Sequence, residues 1–251
     1  MSMADGEAGD QRVPRQRIHD AIASVRDRIA AACRAAGRPA ESVTLVAVTK
    51  SVSADVTRLV VEAGVVDLAE SRPQSIWAKA EALATVQPAP RWHLIGNLQR
   101  NKVQRTVPLL AMLQTLDSLR LLEAINSAAE RVPAGEPLPC EALVEVNLTA
   151  DPGRSGAAIA AVPALVRAAA ASPAVRLRGL MGMAGRPDAA AADARRDFAG
   201  LRMLRDELTA TLPEVGMLAE LSMGMSGDFE AAILEGATIV RIGSALFEGL
   251  G

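Results

Sequence analysis

Apolar residues recur early in the chain at Ile18, Ile22, Val25, Ile29 and Cys33, at spacings of three and four. That rhythm predicts one buried helix face, and Gly37 and Pro39 predict its end. The pattern then changes. Val43–Lys50 is apolar on both faces, as a buried parallel strand requires. Ser53 follows as a helix cap, with Val56, Leu59, Val60 and Ala63 on one side and Gly64 as the stop.

This strand-then-helix unit repeats to the end. Further strands are predicted at Val65–Ala69, Trp92–Gly96, Met112–Asp117, Ala142–Leu148, Arg176–Met183, Leu218–Met223 and Thr238–Gly243. Helices are predicted between them at Gln74–Ala84, Arg100–Leu109, Leu119–Arg131, Ala157–Ala171, Ala190–Leu212 and Asp228–Glu235, with a short last helix in Ser244–Leu250. Alternation of this kind implies a parallel sheet covered by helices. About eight strands in a chain of this length suit a single closed (β/α)8 TIM barrel, preceded by an extra N-terminal helix. A doubly wound sheet is the alternative, but no glycine-rich dinucleotide fingerprint follows the first strand. Residues 13–251 are read as one domain. Residues 1–12, rich in Gly, Asp and Ala with no apolar run, are expected to be a disordered lead-in and not a signal peptide.

Composition narrows the functions. The 251 residues carry 27 Lys+Arg against 29 Asp+Glu, a net charge of −2, with no basic block. That balance argues against a nucleic-acid partner or an anionic membrane surface. Aromatic residues are 2% of the chain and Tyr is absent, so no mechanism can use a tyrosine from this chain. Cys33 and Cys140 are far apart and lack metal-ligand spacing, so neither a zinc site nor a disulfide scaffold is expected. No uncharged stretch reaches the ~18 residues of a membrane span. A cytoplasmic monomer is the expectation.

In a (β/α)8 barrel the chemistry gathers where strands end. Lys50 closes the first predicted strand and shares a face with Val46 and Val48. Arg241 lies on the last strand, and an arginine is poorly accommodated against an outer helix layer. Closure sets the last strand beside the first, which would bring Lys50 and Arg241 over one opening. Two cations there raise the cost of charging each other, the condition for an amine nucleophile. The bland alternative is a strand-end lysine reaching into solvent. Two small-residue turns, Ser222–Gly227 and Gly243-Ser244-Ala245, precede the last helices and could offer N–H groups and hydroxyls to a phosphate. The alternative is ordinary capping by Ser226, and Asp228 and Glu230 weigh against an anion unless both point away. His93 reads as a packed strand histidine or a partner base. Glu70 reads as a cap, a supporting residue or a base.

Several blocks together resemble the pyridoxal-phosphate (PLP) homeostasis protein family, whose fold is similar to the barrel domain of alanine racemase. They are Val46-Ala47-Val48-Thr49-Lys50, the Trp92–Lys102 block (WHLIGNLQRNK), Glu145-Val146-Asn147, Arg178-Gly179-Leu180-Met181, Leu221–Glu230 (LSMGMSGDFE) and Val240-Arg241-Ile242-Gly243-Ser244. The resemblance runs from about Val43 to Gly249. It implies that Lys50 forms an aldimine with pyridoxal 5′-phosphate, that Ser226, Gly243 and Ser244 hold the phosphate, and that Arg241 faces the pyridine nitrogen. Ser222, Met223, Asn147, His93 and Ser71 complete the cofactor-side set that it implies. Ser71 stands where asparagine is usual in Phe-Gly-Glu-Asn-Arg-Val-Gln-Glu, while Pro73 in the same segment suits the first turn of a helix.

A guanidinium only donates, so a ring nitrogen facing it accepts and stays unprotonated, which makes a poor electron sink. The implied function is therefore a PLP carrier or buffer that supplies apoenzymes and has no catalytic residues. The alternatives are a PLP-dependent racemase or lyase using Lys50 with His93 or Glu70, and a cofactor-free Schiff-base aldolase for a phosphorylated sugar.

Overall fold

A computed structural model describes residues 4–131, 139–149, 151, 153–185 and 194–249. The strands are β1 (Thr44–Val48), β2 (Asp67–Glu70), β3 (Arg91–Leu94), β4 (Leu110–Leu116), β5 (Cys140–Asn147), β6 (Ala157–Ala158), β7 (Val175–Gly182), β8 (Glu220–Ser222) and β9 (Ile239–Ile242). All pairings are parallel. The sheet runs from β4 through β3, β2 and β1 to β9, β8, β7 and β5, and a β4–β5 pairing closes it. The two-residue β6 only extends the edge of β5's C-terminal end. Eight strands thus form the barrel expected from the alternation.

The helices are α1 (Ala4–Ala35), α2 (Ala54–Glu62), α3 (Pro73–Ala82), α4 (Val103–Thr106), α5 (Leu119–Ala129), α6 (Val162–Ala170), α7 (Ala194–Thr211), α8 (Phe229–Leu234) and α9 (Ser244–Phe247). Helix α1 begins at Ala4, inside the 1–12 segment that was expected to lack structure. Its face of Ile18, Ile22, Val25, Ile29 and Cys33 is buried as the spacing predicts. It lies against α2, α8 and α9. Arg28 fastens it to α8 by stacking 4.5 Å over Phe229 and donating to Glu230.

Two predicted helices are broken. The stretch 100–109 folds as two 3-10 turns around α4, with Pro108 inside the second. The stretch 157–171 opens with β6 and a 3-10 turn, and helix is delayed to Val162, where Pro163 occupies the first turn. The start of the predicted Ala190–Leu212 helix lies outside the described residues.

Side-chain alternation separates two cores. Val46, Val48, Ala69, Met112, Leu143, Met181 and Ile239 fill the barrel interior. Leu45, Ala47, Leu68, Leu94, Val144 and Val240 face the helices. The inward parity of β1 and β9 is what carries Lys50 and Arg241 to one mouth.

Candidate functional site

Strand β1 pairs with β9 so that Val46 lies opposite Arg241. Beyond their C-terminal ends is a cavity of about 450 Å3 lined by Val48, Lys50, Ser71, Ile95, Met181, Met183, Met225, Ser226, Gly227, Arg241, Gly243 and Ser244. Six residues of the sequence-derived set therefore converge: Lys50, Ser71, Ser226, Arg241, Gly243 and Ser244. Lys50 is exposed at the rim. The apolar wall of Ile95, Met181, Met183 and Met225 was absent from that set. Its signal lies at the C-terminal ends of the strands, where Ile95 follows β3 and Met181 and Met183 flank the end of β7.

The turns behave as donors. Backbone N–H groups of Gly243 and Ala245 both point at Ser226 Oγ, at 3.2 and 3.3 Å. The turn from Ser222 depends on Gly224, whose φ of +93° suits glycine and whose added Cβ would lie 2.8 Å from Phe229 Cα. The two nearby carboxylates are occupied elsewhere. Asp228 accepts from Met225 N–H at 2.6 Å, and Glu230 is turned out to Arg28. Burial pushes the Asp228 carboxyl up from its ordinary value, although the Met225 bond and the Arg241 charge oppose this.

Arg241 is buried beneath the cavity floor. Its Nη1 donates to Ser222 Oγ at 2.6 Å and its Nη2 to the Gly182 carbonyl at 3.1 Å. Burial pulls its pKa down to about 10, with Glu145 and Asp228 opposing, so the guanidinium remains charged at pH 7. Glu145 faces the same interior, takes a hydrogen bond from Ser155 and has its pKa raised, chiefly by burial.

The other four residues of the set do not line the cavity. Ser222 lies under Arg241 and is fully buried. Met223 packs in the outer core. Asn147 orders the loop after β5, accepting from Thr149 N–H and donating to the Asp151 carbonyl. His93 sits inside the barrel between Asp67 and Gln114, each at 3.0 Å.

Glu70 points away from the mouth, toward the helix layer. Its Oε1 accepts from Thr49 Oγ1 at 2.7 Å and from Lys79 Nζ at 2.6 Å, and Lys79 also donates to the Thr49 carbonyl at 2.7 Å. The trio clamps the residue before Lys50 from behind, so Glu70 is no base for chemistry at the mouth. Removing one partner of a buried pair strands the other charge, so Lys79→Met should cost about 3–5 kcal/mol of stability. Urea unfolding measures this. A loss under about 1 kcal/mol would mean that the pair contributes no more than a surface ion pair.

Gly96 explains part of the tryptophan–histidine block. A Cβ there would lie 2.1 Å from the Ser71 carbonyl oxygen, so only glycine lets this loop support the Ser71 edge of the cavity.

A (β/α)8 barrel with an amine and a guanidinium over small-residue turns belongs to the class of the "Alanine racemase, N-terminal domain" family, whose pattern matches residues 22–250. Alanine racemase from Corynebacterium glutamicum shares this fold with a TM-score of 0.63 at 15% identity, and the match covers 91% of this chain and 60% of that one. Within the class, the chain belongs to the pyridoxal phosphate homeostasis protein family. The Pseudomonas aeruginosa protein of that name is 40% identical over 230 residues, covering 92% of this chain and 94% of its own. The Homo sapiens protein of the same name is 34% identical over 237 residues, covering 90% and 84%. The structure of PipY from Synechococcus elongatus with PLP bound matches at a TM-score of 0.77 and 30% identity, covering 92% of this chain and 99% of that one.

Proposed function

We propose that this protein binds pyridoxal 5′-phosphate at the barrel mouth, carries and buffers it, and takes part in its homeostasis without turnover. The carrying observation is the cavity lining. Its ionisable groups among the described residues are Lys50 and Arg241, and neither a carboxylate nor an imidazole joins them.

The lining suits this ligand chemically. The hydroxyls of Ser226 and Ser244 are donors for a phosphate, and the Gly243 and Ala245 N–H groups hold Ser226 in place for it. Ile95 and the three methionines offer apolar walls to a flat ring. Bound pyridoxal phosphate supplies an aldehyde carbon that the Lys50 amine can attack with loss of water. Arg241 offers N–H donors to a ring nitrogen and no acceptor for a ring N–H. It therefore favours holding the ring over drawing electrons into it.

A racemase needs a second acid or base on the far side of the ring. His93 is engaged inside the barrel, Glu70 is behind the sheet, and the sequence has no Tyr. The cofactor-free aldolase reading lacks a proton-transfer partner at the mouth for the same reason.

Transfer to PLP-dependent apoenzymes is part of this reading, supported by the exposure of Lys50 at an open rim. So is action as a cytoplasmic monomer. The large exposed apolar side chains, among them Met203, Met217 and Leu234, sit on different elements, and no described helix is long and apolar enough to cross a membrane.

The test is α-carbon hydrogen exchange. An amino acid in deuterium oxide with excess loaded protein should exchange no faster than with free PLP, followed by NMR over hours. Saturable exchange that disappears in Lys50→Ala would make this protein an enzyme.

A further inference from the structure

We propose that Gln114 is a positioning residue for the bound ligand: it orients the Arg241 guanidinium through Ser222 and is itself anchored through His93 to Asp67 at the other end of the barrel. This rests on the reading that Arg241 faces the ligand ring.

The interior of the barrel is largely apolar, yet a file of linked polar groups crosses it, apart from Glu145. Arg241 Nη1 donates to Ser222 Oγ at 2.6 Å, and Ser222 Oγ donates to Gln114 Oε1 at 2.7 Å. Gln114 Nε2 is 3.0 Å from His93 Nδ1, and His93 Nε2 is 3.0 Å from Asp67 Oδ1. The five residues come from β9, β8, β4, β3 and β2. Asp67, the first residue of β2, also receives Arg91 Nε at 3.0 Å.

With His93 neutral, the chemistry of the two ends fixes every proton between them. Arginine has only N–H donors and a carboxylate has only acceptors. Ser222 accepts from Arg241, so its own proton goes to Gln114. The Gln114 carbonyl is then occupied, and its amide N–H meets a bare His93 Nδ1. The ring proton is on Nε2 and points at Asp67. Burial disfavours the Asp67 charge, but the hydrogen bonds from His93 and Arg91 and the Arg91 charge hold the carboxyl below its ordinary value. With a neutral His93 and an ionised Asp67, one proton arrangement satisfies all four links.

Gln114 is the residue on which the direction turns. Its carbonyl draws the Ser222 proton away from Arg241 and leaves a lone pair aimed at Nη1. Without that carbonyl, the Ser222 hydroxyl can turn its proton toward the guanidinium. Arg241 then keeps the Gly182 carbonyl as one acceptor and loses the other, and its plane is no longer set at two points. His93 is a neutral spacer in this scheme and has no part in proton transfer at the mouth.

The protein has two histidines, so a 15N-histidine NMR spectrum reads the relay directly. His93 should be the Nε2–H tautomer. Gln114→Met should weaken PLP binding about tenfold, the factor that one net hydrogen bond supplies. It should also shift the absorption of the bound ligand in the same direction as Arg241→Ala. Gln114→Glu should recover part of both effects, because a carboxylate still accepts from Ser222, while the His93 signal gains a proton on Nδ1. A folded Gln114→Met with wild-type affinity and absorption would overturn the proposal. If that variant fails to fold, an Nδ1–H tautomer for His93 in the wild-type protein would overturn it equally. Failure of the underlying reading looks different: Arg241→Ala would itself leave affinity and absorption unchanged, and the proposal would fall with it.

Discussion

Borohydride reduction of the loaded protein should fix a pyridoxyl group on the peptide containing Lys50, and Lys50→Ala should carry none. The chain has three lysines, Lys50, Lys79 and Lys102, so peptide mapping has three possible answers. Lys79 is held behind the sheet by Glu70 and the Thr49 carbonyl, and its amine has no route to the mouth. Lys102 belongs to the 3-10 turn 100–102 and does not line the cavity. Lys50 alone combines the rim of the cavity with an amine free of the ion pairs found in the structure. The expected effect is all or none: complete loss of the covalent label and of the yellow colour. A label on Lys79 or Lys102 would sink the assignment.

The second large effect concerns the phosphate. Hydrogen bonds to a charged group contribute about 1.5–3 kcal/mol each, and about 1.4 kcal/mol is tenfold in affinity. Ser226 and Ser244 present hydroxyl donors on one side of the cavity, with Ser226 held by the N–H groups of Gly243 and Ala245. Pyridoxal without its phosphate should therefore bind on the order of a hundredfold or more weakly than PLP. Equilibrium titration of the two ligands at equal concentrations measures the ratio. Equal loading would show that these turns do not hold the phosphate. Ser226→Ala is the companion variant. It removes a hydroxyl donor and the oxygen that orders the Gly243–Ala245 turn, so it should weaken PLP more than pyridoxal.

The barrel was legible in the sequence because local patterns carry it. The period-three-and-four face of α1 and the doubly apolar β1 need no distant partner to be recognised. The juxtaposition of Lys50 with Arg241 was legible too, because alternation sets their parity and barrel closure sets their neighbours. The edges were less so. The second strand is expected at Val65–Ala69 and found at Asp67–Glu70, starting two residues later and ending one residue later. That shift puts Glu70 within β2, where alternation turns it outward to Lys79.

What the sequence by itself determined is the eight barrel strands, their order around the barrel, and the bringing of Lys50 and Arg241 to one mouth. All of these follow from periodicity and chain connectivity. What only the tertiary structure decided is which polar strand residues line the cavity and which hold one another inside the barrel. His93 and Ser222 look alike as cofactor contacts in the sequence, and Gln114 does not look functional at all. Their roles come from hydrogen bonds between residues 21 and 108 positions apart. A donor or acceptor in a buried strand must find a partner, but the partner lies on another strand, at a depth set by register and by the irregular pairings of β3, β4 and β5. Local alternation states only that such a side chain points inward. The packed barrel alone decides whether it meets a ligand or another residue.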